Sequence, residues 1–192
     1  VDELQREGIQ LDVLVNNAGF GIYGPFTETE LATELEMMQI NMVTLTQLTK
    51  LVLSDMLRRR EGKILNVAST AAFQPGPLMA VYYATKAYVL SLSEALANEL
   101  RGSGVSVTAL CPGITRSGFQ ARAGMEGARL VRGTMMDAAT VARIGYQGLM
   151  RKKTVVIPGF KNRLLTRLIR FTPRELVTRL VRLLQERPSS SG

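Results

Sequence analysis

The chain contains no histidine. Ser-His-Asp triads, Cys-His pairs, His-ligated zinc and imidazole acid–base catalysis are therefore excluded. Its single cysteine, Cys111, cannot form an intrachain disulfide, and a reducing, cytoplasmic-type compartment is the simpler setting. No apolar run approaches the ~18 residues of a membrane span. The opening Val1-Asp2-Glu3 is acidic with no apolar stretch directly after it, so no secretory leader is expected there. Excess positive charge is missing from most of the chain. Residues 1–150 hold 13 Lys+Arg against 14 Asp+Glu, whereas residues 151–192 hold 11 against 2. The net charge of +8 thus belongs to a tail, and a nearly neutral body argues against a nucleic-acid-binding domain.

The 192 residues are 46% hydrophobic, enough to bury a core, and suit one domain or most of one. Short β-branched runs alternate with longer helical periods. Leu11–Val15 reads as a buried strand ending at Asn16-Asn17-Ala18-Gly19. Thr27 to Arg60 reads as one long helix or two in series, opened by a Thr27/Glu30 capping box and closed by Arg58-Arg59-Arg60 before Gly62. Lys63–Ala68, Val105–Leu110 and Thr154–Ile157 read as further strands. Ala80–Arg101 and a segment capped by Asp137 and running to about Arg151 read as helices, with a mobile loop containing some helix over 114–136. The terminal Pro188–Gly192 is expected to fray. Strand–helix–strand repetition predicts an α/β fold, a parallel sheet covered by helices on both faces. Ligands bind such sheets beyond the carboxyl ends of the strands, where Asn17, Ser69 and Pro112-Gly113 fall.

Tyr82 and Lys86 lie four apart on a predicted helix and so share a face. A phenol titrates near ~10, and a neighbouring ammonium lowers that value, so the pair can act as an acid–base unit without histidine. A half-buried tyrosine beside a solvated lysine is the plain alternative. Ser69, at a strand end, is either a loop brace or a donor to a substrate oxygen. Asn41, between Ile40 and Met42, is either a satisfied structural amide or the anchor of a water near the site. Asn16–Gly19 and Pro112-Gly113 are either turns or places where backbone lies close to a ligand.

Taken in order, Asn16-Asn17-Ala18-Gly19, Asn41, Ser69, Tyr82-x-x-x-Lys86 and Pro112-Gly113 resemble the short-chain dehydrogenase/reductase family, over about residues 10–160. The resemblance implies a Rossmann-type doubly wound parallel sheet and an NAD(P)-dependent oxidoreductase acting on a small-molecule carbonyl/alcohol pair. It implies a tetrad in which Tyr82 exchanges the proton and Lys86 lowers the tyrosine pKa and binds the nicotinamide ribose. Ser69 polarises the carbonyl, and Asn41 holds a relay water. It also implies that Asn17, Ala18 and Gly19 line the adenosine side of the cofactor and that Pro112, Gly113, Ile114 and Thr115 border the nicotinamide, with no metal. A homo-oligomer formed through the two long helices is implied as well. The family's glycine-rich phosphate turn and its NAD/NADP-selecting residue lie before the Asn-Asn-Ala-Gly motif. Residues 1–15 contain no such turn, so the catalytic domain, 1–160, is expected to be N-terminally truncated and to bind dinucleotide poorly, with NADP favoured over NAD. A non-catalytic fragment or membrane-associated binding protein is the alternative.

Residues 161–192 form a basic extension. Leu164, Leu165, Leu168 and Ile169 make one apolar stripe, and Leu176, Val177, Leu180, Val181 and Leu184 a second. Thr172-Pro173-Arg174-Glu175 predicts a helix start, with Thr172 as cap and Pro173 at the first helical position. Two amphipathic helices folding over the cleft or a partner subunit is the first reading. A peripheral membrane contact through 161–187 is the second, and nucleic acid is not expected.

Overall fold

A computed structural model describes residue 3, residues 6–133 and residues 135–186. The terminal segment expected to fray lies outside the described residues. Four strands, β1 (Val13–Asn16), β2 (Gly62–Val67), β3 (Val105–Leu110) and β6 (Val155–Val156), form one parallel sheet in the order β1-β2-β3-β6. Val15 pairs with Leu65, Leu65 with Thr108, and Leu110 with Val156. The connections are α1 (Leu31–Met38) and α2 (Leu45–Arg59), then α3 (Ala80–Glu99), then α5 (Ala138–Met150).

Strand alternation decides which face each helix covers. Ile64, Val105 and Val107 point to one side and pack with Val52, Met56 and Leu100 of the α2–α3 layer. Leu65, Leu110 and Val156 point to the other and pack with Val141 and Leu149 of α5. Helices thus flank the parallel sheet as the alternating pattern predicts, but β1, read from the sequence as buried, leaves Val13 and Val15 exposed on the Leu65 side. Asp137 caps α5, its carboxylate accepting from the Thr140 amide at 2.8 Å.

Several boundaries differ from the sequence expectation. The first long helix opens at Leu31, not Thr27, with Glu30 as cap and no side-chain capping bond. Residues 25–29 are used in a turn, Glu28 N donating to the Pro25 carbonyl at 2.8 Å, and the Thr29 hydroxyl donates to Glu34 Oε1 at 2.9 Å. The helical run then passes through a π-helical segment, Gln39–Thr44, before α2. The loop expected over 114–136 is bracketed by paired strands, β4 (Thr115–Arg116) and β5 (Met136–Asp137), around the short helix α4 (Phe119–Arg122). Pro173 is the cap of α7 (Arg174–Gln185), not its first residue, and the Thr172 hydroxyl is taken by the Leu168 carbonyl at 3.0 Å.

The tail forms α6 (Phe160–Ile169) and α7, and only part of each apolar stripe is buried. Val177 and Val181 enter a cluster with Met79, Tyr82 and Tyr83. Leu164, Leu165, Leu168, Leu176, Leu180 and Leu184 stay exposed, so most of the two stripes does not close against this chain's own body. A lengthwise stripe broader than the contact surface leaves its outer residues in solvent. Among the described residues, no helix is long and apolar enough to cross a membrane and no acidic, cysteine or histidine group could hold a metal.

Candidate active site

A cavity of about 790 Å³ runs from the carboxyl ends of the strands down the sheet face between β1 and α5, past Val15, Val67, Val141 and Leu149. It gathers Asn17, Gly19, Ser69, Tyr82, Lys86, Pro112, Gly113, Ile114 and Thr115, residues drawn from four separate stretches of the sequence. Ala18 is exposed beside it and is not among the lining residues.

Tyr82 and Lys86 project from the first turns of α3, as their spacing requires. Lys86 Nζ sits 5.7 Å from the Tyr82 ring centroid and donates to the Val67 carbonyl at 2.9 Å. Both side chains are buried. Burial lowers the Lys86 ammonium to about 8, because the charged form loses its water. Burial likewise pushes the Tyr82 phenol well above its ordinary value, and a hydrogen bond with the Ser69 side chain pulls it partly back. Desolvation is the largest influence on Tyr82, and Ser69 is the neighbour that favours its phenolate.

Ser69 follows β2 and caps the 3₁₀ turn Thr70–Phe73. Its Oγ accepts from the Ala71 amide at 3.1 Å and donates to the Pro112 carbonyl at 3.4 Å. The turn after β2 and the turn after β3 are further joined by Thr70 N donating to the same carbonyl at 2.8 Å. Ser69 is thus a loop brace at the cavity wall, within reach of Tyr82.

Asn41 lies behind the wall, buried in the π-helical segment, a geometry frequent at functional sites. Its Oδ1 accepts from Phe20 N at 3.2 Å, and its Nδ2 donates to the Phe20 carbonyl and to Thr85 Oγ1, both at 3.0 Å. The side chain is a satisfied structural amide. It reaches the site through Gly19. A Cβ placed at Gly19 would stand 2.8 Å from Asn41 Oδ1 and 3.6 Å from Lys86 Nζ, so only glycine fits there.

Sequence reasoning missed several supports. Asn16, the first residue of the Asn-Asn-Ala-Gly segment, is buried, donating to Asn66 Oδ1 at 2.8 Å and Thr49 Oγ1 at 3.1 Å. Asn66 in turn donates to Ser93 Oγ at 2.9 Å, so one polar chain ties β1, β2, α2 and α3. An asparagine inside an otherwise apolar strand was the available signal. The Phe119 ring packs tilted at 47° against the Tyr82 ring, centroids 5.3 Å apart, and Met79, Phe119, Met125 and Leu130 give the cavity an apolar wall. Asn162 of α6 lies so close to Gly113 that a Cβ there would meet its Nδ2 at 2.6 Å. Nothing in the local sequence announces that contact.

A family profile described as short chain dehydrogenase matches residues 1–126. Ketoacyl reductase HetN of Nostoc sp. is 32% identical over 148 residues, 77% of this chain and 51% of that protein. The mouse (Mus musculus) 17-beta-hydroxysteroid dehydrogenase type 3 is 38% identical over 109 residues, 55% of this chain and 35% of that protein. The chain therefore spans about half or less of the curated relatives it matches. Among solved structures, a short-chain dehydrogenase from Sphingobium yanoikuyae in complex with NADPH superposes with a TM-score of 0.74 at 28% identity, covering 94% of this chain and 68% of that one.

Proposed function

Because the chain belongs to the short-chain dehydrogenase family, we propose that it serves an NAD(P)-dependent oxidoreductase activity, interconverting a carbonyl and an alcohol on an apolar small molecule. The observation that carries this reading is the convergence of Ser69, Tyr82 and Lys86 on one cavity.

The residues present fit a nicotinamide nucleoside. Lys86 carries three N–H donors and spends one on Val67 among the described residues, which leaves two for ribose hydroxyls. Gly19 and Gly113 present bare backbone to the cavity, their Cβ positions being taken up by Asn41 and Asn162. When bound, the nicotinamide supplies or accepts the hydride. Tyr82 holds the proton to be given to the substrate oxygen in reduction and takes it back in oxidation. Ser69 orients that oxygen, and its hydroxyl can turn from Pro112 toward it. Lys86 holds the ribose and, being near its own titration point, can pass a proton. Asn41 fixes the Phe20 backbone, and a relay water joining Lys86 to solvent belongs to the same proposal. Asn17, Ala18 and Gly19 take the adenosine side, and Pro112, Gly113, Ile114 and Thr115 border the nicotinamide.

NADP is favoured over NAD because the Sphingobium relative is solved with NADPH. The apolar wall of Met79, Phe119, Met125 and Leu130, and relatives named for ketoacyl and hydroxysteroid substrates, support an apolar substrate. Exposed Leu48 and Leu51 on α2 and Tyr88 on α3 support a homo-oligomer, and the buried free Cys111 suits a cytoplasmic location. A division into a catalytic part, 1–160, and a helical extension, 161–192, completes the proposal. The second reading, a binding protein without turnover, is supported by Asn41, whose amide is satisfied behind the wall and does not line the cavity. Oxidation of NADPH and of NADH, followed optically with a panel of apolar ketones and 3-oxoacyl thioesters, separates the two. Ketone-dependent oxidation supports the first, and its absence across the panel supports the second.

A further inference from the structure

The outward faces of α6 and α7 are the largest feature that the site leaves unexplained. The inward face of α6 is narrow, with Thr166 its only buried side chain. On α7, Val177, Val181 and Gln185 face inward. Beside these faces, Leu164, Leu165 and Leu168 on α6 and Leu176, Leu180 and Leu183 on α7 stand in solvent, at helical spacing. Phe171, between the helices, is 88% exposed. Scattered exposed leucines are ordinary, but stripes of them mark an interaction surface.

The charges interleaved with these stripes indicate what covers them. Residues 160–186 carry seven Lys+Arg against two Asp+Glu. Among the described residues the one ion pair in this stretch is Arg182–Glu186 at 2.9 Å. A second copy docked face to face on this surface would set like charges against each other without compensating acids. A nucleic-acid duplex would use the arginines and leave the leucines wet. A bilayer surface uses both, with leucines at the acyl boundary and arginines at the phosphates.

We propose that α6 and α7 dock this protein onto a bilayer surface bearing anionic phospholipid headgroups, as a peripheral in-plane contact. The docking element is fastened to the body near the cavity. Tyr23 Oη donates to the Gln185 carbonyl at 2.7 Å, and Val177 and Val181 share an apolar cluster with Tyr82. Docking would thus hold the cavity next to the membrane, where an apolar molecule partitions. The docking itself stands without the oxidoreductase reading, and its test measures no turnover.

The test is co-sedimentation of the full chain with vesicles of phosphatidylcholine alone and of phosphatidylcholine mixed with phosphatidylserine. Pelleting is expected with the mixed vesicles and weak with phosphatidylcholine alone. The double variant Leu176→Asp, Leu180→Asp changes exposed side chains only and is expected to lower partitioning by roughly tenfold or more, with an unchanged thermal midpoint by circular dichroism. Leu164→Asp with Leu168→Asp provides the same test on α6 should the first pair unfold. Failure to pellet with either vesicle, or unchanged pelleting of both folded variants, overturns the proposal. So does a wild-type dimer that ignores vesicles and is split by Leu176→Asp, Leu180→Asp in a sizing experiment, since the occupant is then a second copy.

Discussion

Asn41 and Phe20 are joined by two reciprocal hydrogen bonds, side-chain oxygen to backbone N–H and side-chain amide to backbone carbonyl, at 3.2 and 3.0 Å. The pair fastens the segment after β1 to the π-helical turn, and Gly19 lies between them and Lys86. Replacing Asn41 by leucine keeps the volume but leaves Phe20 N, Phe20 O and Thr85 Oγ1 without these partners. Such a loss should cost about 3 kcal/mol or more of unfolding free energy, measurable by urea denaturation. A change below roughly 1 kcal/mol would mean that the amide is not the clasp described.

At the neighbouring position, Gly19→Ala presses a methyl against an Asn41 carboxamide held by three hydrogen bonds, so the neighbour cannot give way cheaply. A destabilisation of about 1–3 kcal/mol is expected. Thermal melts of the two proteins side by side decide it, and equal midpoints contradict the predicted crowding.

Tyr82→Phe removes the hydroxyl and retains the ring packed on Phe119 and Tyr83. In an enzyme that turns over ketone, the rate should fall by about 10²–10⁴ while stability changes by less than about 1.5 kcal/mol. Retention of rate would remove Tyr82 from the proton-transfer role.

Lys86 makes stability depend on pH in a defined direction. Its native value is lowered to about 8 by burial, from 10.5. Between those values the unfolded chain binds more protons than the native one, so this group raises stability as pH rises from 8 to 10.5. Below 8 the full cost of burying the charge is present, about 3 kcal/mol. Lys86→Met removes that cost but leaves the Val67 carbonyl unpaired, so the variant should be the more stable one at pH 7, by about 2 kcal/mol. The margin should vanish toward pH 10.5. Buried Cys111 and Tyr83, both raised to about 12 by burial, oppose the rise at high pH in both proteins and cancel in the comparison. Urea titrations at the two pH values test this. A margin independent of pH contradicts it.

Much of this architecture was legible in the residues. Val105–Leu110 is a strand with the bounds its apolar run predicts, and Tyr82 and Lys86 share a face because 3.6 residues make a turn. Asp137 caps its helix because a carboxylate can reach a free amide three residues on. Less legible was any boundary set by competition. Thr27 and Thr172 look like caps, but the chain before Leu31 is already spent in a turn and the Thr172 hydroxyl bonds backward to Leu168.

The sequence by itself determined the alternating α/β pattern, the chemistry that a chain without histidine can use, and which residues follow the strands. Those properties are local, arising from backbone periodicity and side-chain type. Only the tertiary structure decided that Asn41 serves the Phe20 backbone, that Lys86 is buried and donates to the Val67 carbonyl, and that the tail buries Val177 and Val181 while leaving its leucines in solvent. Desolvation and hydrogen-bond partnership depend on what packs against a group from distant parts of the chain.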